Sequence, residues 1–233
     1  MKHVMKHAIV LSGADRYDGR WHDHAATSQR IAEILTEVGF DARIRACHPR
    51  AFENLATVDL LIANTASGTP GADDASDEDW VRAFALLSAY VARGGPLIAL
   101  HLASSSFQEF PEWSDWIGGA WITGTSMHPP IAEAHVAVRT DAHPIVAGLT
   151  DFTLYDEMYS FLALHPGNVV LATHRYEGQD HPLAWAREAG LRRAVYDALG
   201  HDVRAYDSPE RVRLLQREAL WVTGAGDTEI ALV

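Results

Sequence analysis

Residues 94–107 read GGPLIALHLASSSF. Gly94 and Gly95 close the helix before them, because glycine alone adopts the left-handed geometry that ends a helix cheaply. Pro96 to His101 is then a short apolar run without polar alternation, the pattern of a strand covered on both faces and so of a parallel sheet flanked by helices. The small residues and serines that follow could begin another helix. A polar side chain at such a strand-to-loop junction stands at the C-terminal edge of the sheet, where open α/β sheets bind ligands. His101 stands there.

The pattern repeats outward. Upstream, HAIVLSG (7–13) reads as a buried first strand, and Ile31, Ile34, Leu35 and Val38 give the segment 25–38 one apolar helical face that Gly39 ends. Strands follow at 41–47 and 58–64 (VDLLIAN). A second helix is capped by Ser76-x-x-Asp79 and carries Trp80, Phe84, Leu87 and Val91 on one side. Downstream the order loosens. Phe110, Trp113, Trp116 and Trp121 lie among Gly118, Gly119 and Gly124, 131–138 reads as a strand, and DAHPIVAGL reads as a turn. Strands are expected at 168–174, 181–187 and 193–199. Ser208-Pro209 opens a last helix with Val212, Leu215, Ala219 and Val222 on one face. The expectation is one α/β domain over 1–233, a mainly parallel central sheet with helices on both faces.

Composition narrows the function. Lys+Arg number 19 against 31 Asp+Glu, a formal net charge of −12, and no dense basic run exists to meet phosphates, so no nucleic acid is expected. No stretch approaches the ~20 apolar residues that span a bilayer. Gly13, Asp15 and Arg16 interrupt the first apolar run before a signal-peptide core could finish. One cysteine, Cys47, supports neither an internal disulfide nor a thiolate zinc cluster, and a cytoplasmic protein is expected. Neither GxGxxG after the first strand nor a phosphate-binding GxxxxGK[ST] is present, so nucleotide sites are unsupported. Thirteen histidines are the unusual count.

Four of them occupy positions that suit chemistry. His22 and His24, in RWHDH after the first strand, have the i, i+2 spacing that aims two imidazoles at one site, although a solvated loop would look the same. His101 is either a rigidly held base or ligand or a buried histidine bonded to a backbone carbonyl. His201-Asp202 leaves the strand RAVYDAL at the same kind of junction, and parallel strands would bring His101 and His201 to one edge. Asp156-Glu157, among Tyr155, Tyr159 and Phe161, is either an acid/base pair of altered proton affinity or a charged turn between core aromatics. The serines at 104–106 lack a nucleophile elbow. His3, His48, His135, His143 and His165 read as structural or solvated.

The ordered motifs IVLSG, RWHDH, GGPLIALHLASSSF, DAHPIVAGLTDFTLYDEMYSF, PLAWAREAGLRRAVYDALGHD and REALWVTGA together resemble the ThuA-like (trehalose utilisation) family. That resemblance implies a flavodoxin-like fold, similar to class I glutamine amidotransferases. Those relatives place a cysteine at the sharp turn where this chain has His101, so thiol-dependent glutaminase activity is not expected. The family's polar cleft maps onto His22, His24, His101, Glu157, His201 and Asp202, with Tyr159 and Trp185 facing sugar. His101, Glu157 and His201 are the expected catalytic residues. The implied role is carbohydrate chemistry in trehalose or disaccharide utilisation, by proton abstraction next to a sugar ketone and hence isomerisation or elimination. Glu157 or His101 would take the proton. No cofactor is required, and a zinc-like divalent metal at the histidine cluster is the one candidate. A small neutral carbohydrate is the expected partner, self-association stays open, and two rivals remain: a non-catalytic sugar-binding or regulatory module and a metal-dependent hydrolase.

Overall fold

The computed structural model describes residues 5–233, which leaves His3 outside the described residues. The chain runs β1 (Lys6–Ser12), α1 (His24–Glu37), β2 (Phe40–Ala46), β3 (Leu60–Asn64), α2 (Asp77–Ala92) and β4 (Leu97–Leu100). It continues through α3 (Glu112–Ile117), β5 (Gly119–Ala120), β6 (Ala132–Val138), β7 (Phe152–Asp156) and β8 (Ala163–Leu164). The last elements are β9 (Asn168–Tyr176), β10 (Gln179–Ala189), β11 (Arg192–Asp197), α4 (Pro209–Val222) and α5 (Asp227–Ile230).

Nine strands form one sheet in the order β2-β1-β3-β4-β11-β10-β9-β6-β7, with β5 and β8 paired apart from it. The first five are mutually parallel. The remaining four pair antiparallel, β10 with β11 and β9, β6 with β9 and β7. β3 and β4 are buried along their whole length, as unbroken apolar runs require. Strand β2 lies to one side of β1, whereas β4 lies to the opposite side of β3. Right-handed crossovers therefore put α1 and α2 on opposite faces of the sheet, and the strand order switches direction between β1 and β3.

Helix boundaries follow their caps. Asp23 accepts the Ala26 amide at 2.9 Å, the Ser76 hydroxyl accepts the Asp79 amide at 3.2 Å, and Ser208 caps α4 ahead of Pro209. Ile31, Ile34 and Leu35 of α1 and Trp80, Phe84 and Leu87 of α2 are buried on the faces their spacing dictates. Among the described residues no helix is long and apolar enough to cross a membrane.

Several elements differ from the sequence reading: α3, β5, β7, β8 and α5 are not among the expected elements. The serine stretch after His101 forms only a 3₁₀ turn over His101–Ser105, not an extended helix. Ser104 and Ser105 donate to the carbonyls of His101 and Leu102, at 3.3 and 2.8 Å, which offers the backbone a local alternative to helical pairing. The Asp156-Glu157 pair, read as an acid/base pair or a charged turn, stands at the end of the edge strand β7, which has Phe152, Leu154 and Asp156 inward and Thr153 and Tyr155 outward. Register shifts between Pro182 and Trp185 in β10 mark bulges, which sharpen the twist of the antiparallel half.

Candidate functional site

His101 begins the turn that leaves β4 and has φ +48°, a left-handed conformation that asparagine, aspartate and histidine tolerate better than other non-glycine residues. Such a backbone costs on the order of 1–3 kcal/mol and persists where surrounding structure enforces it. Here the Tyr196 hydroxyl donates to the His101 carbonyl at 2.9 Å, and His101 Nδ1 donates to the Ala198 carbonyl at 2.7 Å. The carbonyl-bonded reading of this residue matches the geometry. One ring nitrogen is anchored on a buried carbonyl, and the other, Nε2, is fixed toward a shared point.

His22 and His201 meet it there. His22 Nε2 lies 3.0 Å from His101 Nε2 and 3.0 Å from His201 Nδ1. Glu157 follows β7 directly and places Oε2 3.1 Å from His201 Nδ1 and 3.5 Å from His101 Nε2. One donor atom each from His22, His101, Glu157 and His201 falls within 4.8 Å of every other. The parallel pairing of β4 with β11 is what brings His101 and His201 to one edge.

Of the two first-loop histidines, His22 joins the cluster. His24 starts α1, is 5% exposed, and its Nε2 accepts the Gly19 amide at 3.2 Å. A Cβ on Gly13 would come within 2.5 Å of the His24 ring, so that glycine is what lets the imidazole pack against the end of β1. Asp202 also stands apart: it caps a 3₁₀ turn, accepting the Arg204 amide at 2.8 Å and pairing with the Arg204 guanidinium.

The electrostatics separate the members. Burial, and then the neighbouring imidazoles His101 and His201, lower the His22 pKa to about 2, so it is neutral across the physiological range. Burial pushes the Glu157 carboxyl up, but hydrogen bonds and charge from His101 and His201 outweigh it and hold the group below the usual carboxylate range. Burial lowers His201, yet Glu157 overcomes this and raises it. Burial raises the Tyr159 hydroxyl well above the ordinary tyrosine range. The last residue of β7, Asp156, is 1% exposed and accepts the amides of Gly200, His201 and Glu157 at 2.6, 2.9 and 2.9 Å.

Above the cluster opens a cleft of about 710 Å³, walled by Trp21, Leu102, Trp121, His128 and Tyr159. That volume suits a ligand larger than one sugar ring. Tyr159 directs its hydroxyl to His101 Nε2 at 2.9 Å and packs against Trp121 with ring centroids 4.7 Å apart. Trp185 is fully buried; its indole donates to the Ile117 carbonyl at 2.7 Å and its ring lies on Tyr196, so it faces the core and not the cleft. The sugar-facing expectation for Trp185 is corrected, because Leu183–Ala186 of β10 is covered on both faces and the Trp185 ring packs against Tyr196. A depression of about 740 Å³ beside β7 and the start of α4 contains His135, Asp151 and Arg204 but no converging donor set among the described residues.

His128 escaped the sequence reading, which treated 121–130 as irregular. Its Nδ1 donates to the Pro129 carbonyl at 2.9 Å, which leaves Nε2 open toward Glu157 Oε2 at 3.6 Å. The available signal was His128-Pro129-Pro130, since consecutive prolines stiffen an extended backbone and so fix the side chain before them. Cys47 is buried in the core, where burial raises its thiol well above the usual range, and Ser106 is tied to Thr65 and the Ala66 carbonyl.

Known proteins frame this arrangement. A ThuA-like protein from Parabacteroides merdae superposes with a TM-score of 0.75 at 17% identity, covering 94% of this chain and 90% of the other. A ThuA-like protein from Bacteroides uniformis gives 0.72 at 16% identity, covering 96% and 93%. A glutamine amidotransferase from Thermotoga maritima gives 0.52 at 11% identity, covering 99% and 97%, a likeness of fold. No curated protein sequence matches the chain. The family model described as ThuA, trehalose utilisation, matches residues 8–222, and the chain belongs to that family.

Proposed function

We propose that the protein acts on a keto derivative of trehalose or a related disaccharide, labilising the proton on the carbon beside the ketone, with His22, His101, His201 and Glu157 holding a divalent cation. The observation that carries this reading is the convergence of three imidazoles and a carboxylate on the floor of a cleft with aromatic walls. Zinc–nitrogen bonds of about 2.0–2.1 Å place tetrahedral ligand atoms roughly 3.3 Å apart. Four of the six donor separations, 3.0, 3.0, 3.1 and 3.5 Å, bracket that spacing, and all six lie within 4.8 Å. The anchoring of His101 Nδ1 on a carbonyl is the outer-sphere support that metal-binding imidazoles usually have. A bound cation would act as a Lewis acid, polarising the sugar carbonyl.

The chain's own residues supply the rest. With His101 and Glu157 engaged as ligands, His128 is the cleft imidazole with an open nitrogen, and its Nε2 accepts the proton from carbon. Tyr159, which keeps its proton, donates to a substrate oxygen. Trp21 and Trp121 offer apolar faces to pyranose rings, and a neutral substrate gains nothing from a basic cleft.

The test is incubation of a keto-disaccharide in heavy water. Deuterium at the carbon beside the ketone, followed by isomerised or cleaved product, is expected from the wild type and not from His101→Ala or Glu157→Gln. Unchanged turnover in both variants would refute the assignment. Tight binding of an unmodified disaccharide with no product would mark a binding module. Cation-dependent cleavage of an unoxidised disaccharide without exchange at carbon would mark a hydrolase.

A further inference from the structure

We infer that Asp156 is a positioning residue that fastens Glu157 and His201 to one another, so that the grip of the cluster on a divalent cation depends on a carboxylate outside the ligand set. This rests on the reading of His22, His101, His201 and Glu157 as cation ligands.

One oxygen of Asp156 accepts two amides, from Glu157 and His201, each at 2.9 Å, and the other accepts the Gly200 amide at 2.6 Å. These amides come from two places far apart in the sheet, the end of edge strand β7 and the loop after β11, with β10, β9 and β6 between them in the strand order. A buried carboxylate is costly unless its lone pairs are occupied, and three backbone donors occupy these. The main chains that carry Glu157 and His201 therefore hang from the same side chain. The separation of Glu157 Oε2 from His201 Nδ1, 3.1 Å, follows from that attachment.

The clamp reaches a third ligand. Residues 198–201 form one short loop, and its Ala198 carbonyl receives the proton of His101 Nδ1 at 2.7 Å. The loop is pinned from its other side as well, where Asp197 accepts the Leu199 amide at 2.9 Å and Arg211 donates to the Leu199 carbonyl at 3.1 Å. Gly200 has φ +122°, and a Cβ there would fall 2.6 Å from the Tyr206 hydroxyl oxygen. Only glycine lets this backbone turn its amide into the Asp156 carboxylate. Asparagine at 156 would keep the shape but turn an amide group onto backbone N–H donors, opposing donor to donor.

The test is titration of metal-free protein with cobalt(II), followed by visible absorption, with zinc competition for affinity and near-ultraviolet circular dichroism for fold. Asp156→Asn is expected to weaken cation binding about 10–100-fold, the usual loss for outer-sphere partners, with the fold retained. A general packing defect would add to other lesions. A positioning role acts through the ligands it holds, so Asp156→Asn placed on His201→Ala is expected to cost less than it costs alone. Should Asp156→Asn fail to fold, Asp156→Ser, which keeps one acceptor, is expected to show the same weakened affinity and the same non-additivity. Wild-type binding with Asp156 variants equal to it, or a fully additive double variant, would overturn the inference while leaving the cation reading intact. A wild-type protein that binds neither cobalt nor zinc would overturn both.

Discussion

The two halves of the sheet contribute in different ways. Strands β2, β1, β3, β4 and β11 run parallel, and the loops following β1, β4 and β11 supply the imidazoles of His22, His101 and His201. The antiparallel half supplies Glu157, and near it stand His128 and Tyr159, which pack ring on ring with centroids 5.7 Å apart. In the parallel half a side chain reaches the site because every strand ends on the same edge. In the antiparallel half it does so because the edge strand β7 ends beside the loop after β11, where Asp156 accepts the amides of Gly200 and His201. The first arrangement is a property of topology; the second depends on particular contacts such as Asp156 to Gly200.

Lesions at the imidazoles of the parallel half are expected to remove the cation; in the antiparallel half those at Glu157 and Asp156 act on the cation as well, whereas those at His128 and Trp121 are expected to impair proton transfer and sugar binding with the cation retained. The largest effect is expected at His101→Ala, with turnover of a keto-disaccharide falling about 10³-fold or more and cobalt binding lost in the same protein. Retained cobalt binding would break the comparison. Next is Trp185→Ala, expected to cost about 3–5 kcal/mol in chemical denaturation with KM unchanged in whatever fraction remains folded. A raised KM at unchanged stability would return this residue to the sugar. His128→Asn is expected to lower kcat roughly 10²-fold while cobalt affinity stays within error, the separation that distinguishes a base from a ligand. Trp121→Ala follows, raising KM up to about tenfold through one lost aromatic face.

The smallest effect lies behind the site, where Arg211, Asp197 and Glu218 are all fully buried. Burial, with Asp197 beside it, raises the Glu218 carboxyl well above the ordinary range. A raised folded pKa means stability that is present below the unfolded value and lost as pH rises through the folded one. Glu218→Gln carries no such proton. It is therefore expected to gain on the wild type in thermal midpoint as pH rises, and equal midpoint differences across the pH range would contradict this.

What could be read in the sequence follows the same division. The unbroken runs at 58–64 and 96–101 admit only a doubly covered strand, and the parallel pairing they imply brings His101 and His201 to one edge. Spacing does not resolve the pair His22 and His24, because the choice depends on the Asp23 cap that starts α1 at His24 and on the room beside Gly13 that takes its ring. His128 lay in a loop without periodicity. Trp185 carried no marker of the face it would occupy, since both neighbours in β10 are alanines and alternation has no polar reference there. The family resemblance carried Glu157, whereas the role of Asp156 depends on contacts 44 and 45 residues away that no local pattern encodes.

The contact of His22 with His201 joins residues 179 positions apart, and between them the cluster draws on the chain near 22, 101, 157 and 201. None of its members are sequence neighbours, so its assembly requires long-range closure of the chain. Long-range closures of this kind are paid in loop entropy before contacts reward them, and they slow folding. The complete donor set is expected to form only once those closures are made. On the proposed cation reading, the complete donor set requires residues 22 through 201, so cation occupancy would report that both halves of the sheet have found each other.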